Sequence, residues 1–155
     1  MENRLVSQGA ELREKSVLFR TWATGKKKVS TVIFGDDGSV LREIPMERET
    51  SGYYSVIDPS SSSGTLYKYR LDDNLVPDLA SRFQPQGVHG PSQVIDGRSF
   101  HWTDSGWKAP ALHELVIYEL HVGTFTQEGT FEAIASRFEH LKGIGVNAIE
   151  LMPIG

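Results

Sequence analysis

Short alternations of apolar and polar residues dominate the first two thirds of the chain. Ser16–Ala23 places Val17 and Phe19 on the inward face, with Trp22 as a further inward candidate, and Thr65–Leu71 alternates just as cleanly. Such period-two patterns predict half-buried β-strands. Apolar runs bounded by turn-forming residues predict three further strands, at Val29–Phe34, Val40–Ile44 and Tyr53–Ile57. Short strands at this regular spacing are typical of an all-β sandwich.

Turn signals separate these strands. Asp37-Gly38 predicts a tight hairpin, because Asp-Gly tolerates the positive φ that such turns require. The polar stretch Asp58–Gly64 and the run Asp72–Asn74 mark two further turns. The stretch 76–96 holds three prolines and shows no sustained period. We expect it to be an ordered loop rather than a linker because it keeps several apolar residues, namely Leu79, Phe83, Val88, Val94 and Ile95.

The pattern changes at Leu115. Leu115–Val122 is almost continuously apolar, as is a strand that is covered on both faces. After a loop, Thr130 can cap a helix that ends near Lys142, with apolar residues at helical spacing at Phe131, Ile134, Phe138 and Leu141. Val146–Met152 predicts a second buried strand. Strand, helix and strand form a βαβ unit, which requires a parallel sheet.

These patterns divide the chain into three parts. We predict a β-sandwich over residues 1–97, a connecting segment over 98–114, and the first βαβ unit of an α/β barrel over 115–155. A complete barrel has eight strands, so we expect the chain to be an incomplete piece of a larger protein. The unfinished unit is expected to expose apolar side chains that favour dimerisation or disorder of this segment, at Val116, Ile117, Leu120, Ile149 and Leu151.

Composition narrows the classes of function. The net charge of −4 and the lack of a basic face argue against nucleic acid as a partner. No stretch approaches the ~20 apolar residues of a membrane helix, and the polar N-terminus lacks a signal core, so a cytoplasmic location is the default expectation. The absence of cysteine excludes disulfides and thiolate metal sites. The histidines show no metal-ligand spacing, and we expect neither a metal nor a cofactor.

Candidate chemistry lies first in the two barrel strands. Glu119 and His121 belong to the first strand and Glu150 to the second. Side chains at the carboxyl ends of barrel strands face the active site, so His121 and Glu150 are predicted to contact substrate. The alternative is a structural hydrogen bond within the barrel, since buried polar groups require partners.

Aromatic residues form the second group of candidates, because sugars bind by stacking on exposed rings. The candidates are Trp22, Tyr53, Tyr54, Trp102 and Trp107, and Trp22 is the one we predict to bind substrate. The alternative is that these rings fill the sandwich core or a seam between domains, as large aromatic side chains usually do.

Several segments carry a resemblance to a known family. The segment from Val116 to Gly155, which begins VIYELHVGTF, resembles the opening of the α-amylase superfamily barrel. The segment VPDLASRFQPQGVHGPSQVID, at Val76–Asp96, resembles the region before the barrel in malto-oligosyltrehalose trehalohydrolases. LYKYRLD at Leu66–Asp72 also fits that family, and FRTWAT at Phe19–Thr24 differs from its usual motif by having Thr24 in place of proline.

The resemblance implies a mainly β fold, an immunoglobulin-like sandwich classed with glycogen-binding modules and followed by the start of a TIM barrel. It also implies a hydrolase that cleaves the α-1,4 bond next to the terminal trehalose of maltooligosyl trehalose. Such enzymes use two carboxyl groups about 5 Å apart in a retaining mechanism. The superfamily's catalytic carboxylates come from later barrel strands, beyond residue 155. We therefore expect no catalytic residue in this chain and no activity from it alone.

Three other functions remain open on the sequence. The chain could be a free-standing module that binds α-glucan, or part of a glycogen branching or debranching enzyme, since those relatives share the Tyr-Glu-Leu-His opening. The sandwich could also be a purely structural domain that braces the barrel. The segment SRFQPQGVHGPS, at Ser81–Ser92, favours the trehalohydrolase. In each case the expected partner is an α-glucan or maltooligosyl trehalose.

Overall fold

The computed structural model describes residues 5–154, which form two compact units that divide between His101 and Trp102. The fold is mainly β, and the first unit is the predicted immunoglobulin-like sandwich. None of the helices within residues 5–154 has the length and apolar character needed to cross a lipid bilayer. The two units are described separately below.

Two antiparallel sheets form the first unit. The first has the order β1-β2-β6-β5, formed by β1 (Gly9–Arg13), β2 (Ser16–Trp22), β6 (Tyr53–Asp58) and β5 (Glu47–Arg48). The second has the order β4-β3-β7-β8, with β9 also paired to β7, and is formed by β3 (Val29–Phe34), β4 (Val40–Pro45), β7 (Leu66–Leu71), β8 (Asn74–Val76) and β9 (Ser92–Gln93). The five predicted strands are all confirmed, with ends that differ by at most one residue.

The core lies between these sheets and is built from the inward residues of each alternating strand. Val17 and Phe19 of β2 meet Tyr67 and Tyr69 of β7. The Phe19 and Tyr67 ring centroids are 4.8 Å apart with the planes tilted by 58°, and those of Tyr67 and Tyr69 are 5.6 Å apart in an edge-on arrangement. Aromatic pairs prefer such tilted geometries because the ring quadrupoles repel in a face-to-face stack.

The stretch 76–96 is ordered, but mainly through polar contacts rather than through the apolar residues expected to bury it. Val94 is fully buried, whereas Leu79 and Val88 are exposed. Asp78 anchors the stretch instead, because its carboxylate accepts hydrogen bonds from the Tyr67 hydroxyl at 2.6 Å and from the Ala80 amide at 2.8 Å.

One ion pair joins the sheets at the end of the sandwich where β6 finishes. Arg42 of β4 and Asp58 of β6 meet at 2.5 Å, and the Ser61 hydroxyl donates to the same carboxylate. Burial by itself raises the pKa of Asp58, but hydrogen bonds from Ser61, Arg42 and the Ser60 amide together hold this pKa below its ordinary value. Asp58 is therefore ionised at neutral pH and pairs with the guanidinium.

The second unit is a βαβ unit with a two-stranded parallel sheet. Its strands are β10 (Ile117–Leu120) and β11 (Ala148–Leu151), and its helices are α1 (Val122–Phe125), α2 (Phe131–Ala135) and α3 (Phe138–Gly143). The predicted first strand was too long, because Val122 begins α1 inside its predicted span.

The single predicted helix is two helices, α2 and α3. The Ser136 hydroxyl donates to the Ala133 carbonyl at 2.6 Å, and the Arg137 amide bonds to the Ile134 carbonyl three residues back. Serine hydroxyls that bond back to helix carbonyls loosen the regular ladder. The hydrophobic period continues through the break, which is why spacing alone did not reveal it.

The predicted exposure of the βαβ strands is largely correct. Val116, Ile117 and Leu151 are exposed and Ile149 is half-buried. Leu120 is the exception, because only 3% of its side chain is exposed. Ile149 and Leu151 line a cleft with residues of α2 and α3, and Leu120 pairs with Leu151 in the parallel register, so strand alternation turns Leu120 towards the helices.

Candidate functional site

Trp22 is the most exposed aromatic ring on the described strands of the sandwich. It is the last residue of β2, where alternation turns Phe19 into the core and Trp22 outward, so the inward orientation considered for Trp22 is wrong. Its side chain is 53% exposed, and the indole N–H donates to the Ser51 carbonyl at 2.9 Å. The hydrogen-bonded edge of the ring is therefore fixed while the surface of the ring is open to solvent.

The turn that holds Trp22 has an unusual backbone. Ser51 has φ 60° and Gly52 has φ 82°, both in the left-handed region. The Ala23 amide donates to the Gly52 carbonyl at 2.9 Å, so the turn grips the backbone beside Trp22 as well as its side chain. A Cβ at position 52 would lie 2.9 Å from the Cβ of Thr24, which leaves room only for glycine there.

Arg20 covers one face of the neighbouring Tyr53 ring. The Arg20 guanidinium lies 3.6 Å from the centre of the Tyr53 ring and pairs with the Glu49 carboxylate at 2.9 Å. Arg20 also donates to the Ser7 carbonyl. The hydrogen bond that Arg20 donates to Glu49 raises the pKa of Arg20 despite the opposing effect of burial, so the guanidinium stays charged above the ring.

The remaining aromatic candidates divide between core and surface. Tyr54 is buried in the core, as the structural alternative predicts, and its hydroxyl donates to the Lys26 carbonyl at 2.6 Å. Trp102 and Trp107 are exposed side chains of the second unit, so the expectation that they fill a core is wrong for the described chain. Neither lies on a helix or strand that would fix its orientation.

His121 directly follows β10 and is the N-cap of α1. Its Nδ1 accepts a hydrogen bond from the Gly123 amide at 3.1 Å, so the ring caps the first turn of α1. The side chain is nevertheless exposed, and with Val122, Phe131 and Pro153 it lines an open cleft of about 360 Å³. His121 thus has one ring nitrogen occupied by the cap and the other turned away from it.

Glu150 lies on β11 directly opposite Glu119 of β10. Because Ile149 and Leu151 face the helices, alternation turns both carboxylates to the opposite face of the sheet. Both residues are exposed. Like charges directly opposite one another destabilise a strand pair, so the two carboxylates do not stabilise the sheet by facing each other.

The three predicted site residues therefore fall into two groups. His121 and Glu150 lie in the βαβ unit, whereas Trp22 lies in the sandwich. Across residues 5–154, no group of three or more His, Asp or Glu side chains is arranged to hold a metal ion. The sequence did not predict that the turn at Ser51 and Gly52 holds Trp22. The Ser51-Gly52 dipeptide is nevertheless a turn signal that could have indicated a turn there.

Comparison with known proteins identifies the family. Residues 7–83 match carbohydrate-binding module 48, the isoamylase N-terminal domain. The malto-oligosyltrehalose trehalohydrolase of Saccharolobus solfataricus is 46% identical over 148 residues, covering 94% of this chain and 25% of that protein. The chain thus spans about a quarter of the length of this curated relative.

Solved structures show the same architecture over both units. A candidate α-amylase from Salmonella typhimurium matches with a TM-score of 0.88 and 39% identity, covering 96% of this chain and 25% of that one. The pullulanase of Klebsiella pneumoniae, solved with maltotriose, matches with a TM-score of 0.79 and 25% identity, covering 96% and 18%. The chain therefore carries a carbohydrate-binding module 48 domain and belongs to the α-amylase family of proteins, with malto-oligosyltrehalose trehalohydrolases among its relatives.

Proposed function

We propose that the chain is the N-terminal part of a glycoside hydrolase that releases trehalose from maltooligosyl trehalose by hydrolysing an α-1,4 bond. The trehalohydrolase relative, similar over 94% of the chain, is the observation that supports this most directly. The superfamily's acid and nucleophile carboxylates are expected on later barrel strands, so the chain alone is proposed to be inactive. A cytoplasmic location accords with this reaction and is part of the same proposal.

An assay of trehalose release tests this function. The full gene product is expected to release trehalose from maltooligosyl trehalose, and the 155-residue chain is expected to release none. A full product that instead forms α-1,6 branches or cleaves them would favour the branching or debranching alternative. Trehalose release by the short chain would overturn its proposed inactivity.

We further propose that His121 and Glu150 contact the substrate in the full gene product. His121→Asn keeps an N-cap acceptor for the Gly123 amide, so α1 is expected to survive the change. If His121 binds sugar, kcat/KM falls by about tenfold, which corresponds to the loss of roughly one hydrogen bond to a buried partner. Lys142→Asn, on an exposed side chain of α3, is the control. An unchanged kcat/KM for His121→Asn and Glu150→Gln would assign both residues to structure alone.

The sandwich is proposed to bind α-glucan through Trp22. The single observation behind this is a half-exposed indole whose edge is hydrogen-bonded and whose surface is open. A sugar ring presents an apolar face of C–H groups that can stack on such a surface. The family match supports the same partner, because residues 7–83 match a carbohydrate-binding module.

Titration with maltoheptaose, followed by tryptophan fluorescence, tests this contact. The parent for this experiment carries Trp102→Phe and Trp107→Phe, so that Trp22 is the only tryptophan that remains. Saturable binding is expected, and Trp22→Ala in the unmodified chain is expected to weaken it by about tenfold in calorimetry. Equal affinity of Trp22→Ala and the unmodified chain would refute the contact, and no binding at millimolar sugar would leave the sandwich a bracing domain.

The exposed apolar side chains and strand edges of the βαβ unit are proposed to drive self-association of the 155-residue chain. Ile117 and Leu151 are exposed, and the two-stranded sheet of β10 and β11 leaves edges that can pair with another copy. Light scattering is expected to report a dimer, and Leu151→Lys to report a monomer. The matched control is Ile57→Lys, an exposed apolar residue of the sandwich. A monomeric parent at the same concentration refutes this proposal.

A further inference from the structure

The Ser51-Gly52 turn holds Trp22 through the carbonyl of Ser51, a residue with a left-handed backbone. Ser51 has φ 60° and ψ 23°, whereas serine ordinarily occupies the negative-φ regions. In this conformation its carbonyl accepts the indole N–H at 2.9 Å. Residues outside glycine that are held in such backbone regions are found preferentially where the surrounding structure and function require them.

This hydrogen bond has a direct consequence for the ring. Indole has a single polar donor, and Ser51 occupies it, so Trp22 has no hydrogen-bond donor left for a ligand. What remains for recognition is the face of the ring, held in one orientation. A ring that is already immobile loses little conformational entropy when a ligand stacks on it.

Tyr53, the aromatic residue beside Trp22, is not equally available for stacking. Arg20 covers one face of Tyr53, and its bond to Glu49 keeps it there. The register pairs Trp22 with Tyr53 across β2 and β6, so Tyr53 is the cross-strand neighbour that a second stacking ring would have to be. Binding at this position therefore depends on how precisely the one indole is held.

We propose that Ser51 is the positioning residue of this site, and that its left-handed carbonyl sets the Trp22 ring for stacking against a glucosyl unit. This inference rests on the proposed glucan contact of Trp22. Ser51 itself touches no sugar in this scheme, because its hydroxyl is not required. The backbone conformation at position 51, and not the serine side chain, carries the effect.

Two substitutions at position 51 separate backbone from side chain. Ser51→Gly removes the hydroxyl but adopts positive φ freely, whereas Ser51→Val strongly disfavours that region because its Cβ is branched. In the chain that keeps Trp22 as its only tryptophan, Ser51→Gly is expected to match the parent in maltoheptaose affinity and in fluorescence anisotropy. Ser51→Val is expected to weaken binding by about fivefold, the cost of immobilising one side chain, and to lower the anisotropy of Trp22.

A third substitution leaves the turn untouched. Trp22→Phe removes the indole N–H but keeps an aromatic ring, and it covers the case in which Ser51→Val fails to fold. Calorimetry is expected to show binding about fivefold weaker than in the unmodified chain, because the phenyl ring is no longer fixed.

The outcomes distinguish the two levels of the proposal. Absence of maltoheptaose binding by the parent refutes the glucan contact, and the positioning role fails with it. Parent binding that Ser51→Val leaves unchanged, with unchanged anisotropy, overturns the positioning role alone. A loss of binding in Ser51→Gly equal to that in Ser51→Val would assign the effect to the serine hydroxyl and would also overturn it.

Discussion

Replacing Phe19 by alanine is expected to lower the free energy of unfolding of the sandwich by about 3–5 kcal/mol. Phe19 is fully buried on β2, and its ring packs against Tyr67 of the opposing sheet at 4.8 Å. The substitution removes the apolar surface of the ring and leaves a cavity between the sheets. The surrounding strands are held by their ladders and can close this cavity only in part, so the cost exceeds the transfer energy of the ring.

Urea denaturation followed by Trp22 fluorescence measures this effect. With Trp102 and Trp107 changed to phenylalanine, the signal reports on the first unit alone, which avoids averaging over two units. The control is Leu41→Ala, an exposed apolar residue of β4, for which a change within about 0.5 kcal/mol is expected. A loss below about 1 kcal/mol for Phe19→Ala would mean that the core relaxes around the missing ring.

The position of Phe19 could be predicted from sequence, whereas the surroundings of Trp22 could not. Alternation along β2 tells which side of the sheet each residue faces, and it placed Phe19 correctly. It does not tell what covers the outer side. Arg20 is nearly buried there because Glu49 binds it across 29 residues of sequence, while Trp22, two residues later on the same side, is half exposed. Contacts of this kind have no local signature.

In the βαβ unit, too, the hydrophobic period predicts the elements but not the contacts of individual side chains. Its type and the parallel direction of its strands follow from the change of hydrophobic period at Leu115, and the structure confirms them. The period could not show that His121 caps α1, because the cap depends on a bond of 3.1 Å to the Gly123 amide two residues away. Strand position alone thus predicted a histidine near the carboxyl end of the strand, without its role as a helix cap.

Replacing Asp78 by alanine is expected to destabilise the sandwich by about 2–4 kcal/mol, because two donors lose their acceptor. The carboxylate is 5% exposed and accepts from the Tyr67 hydroxyl and the Ala80 amide. Burial raises the pKa of Tyr67, so this hydroxyl keeps its proton and needs an acceptor at every pH at which the chain is studied. Asp36→Ala, at an exposed turn, is the control and is expected to change stability by less than about 0.5 kcal/mol.

Asp78→Asn tests the electrostatic part of this contact separately. Burial raises the pKa of Asp78 and outweighs the hydrogen bonds from Tyr67 and Ala80, which lower it. The folded chain therefore holds this proton more tightly than the unfolded chain, whose aspartates titrate near about pH 3.9. The stabilisation that protonation confers is complete below that pH and is lost as the pH rises through the folded pKa.

Asparagine keeps the size of the side chain and one acceptor but does not titrate. The unfolding free energy of the parent minus that of Asp78→Asn is thus expected to fall as the pH rises above about 4, and then to become constant. Asp58 provides the internal comparison, because its pKa is lowered. Its stabilisation is present above about pH 3.9 and is lost as the pH falls, so the corresponding difference for Asp58→Asn rises with pH. Urea titrations of the three proteins across this range measure both differences in unfolding free energy. If the two differences change in the same direction as the pH rises, burial does not govern the pKa of Asp78.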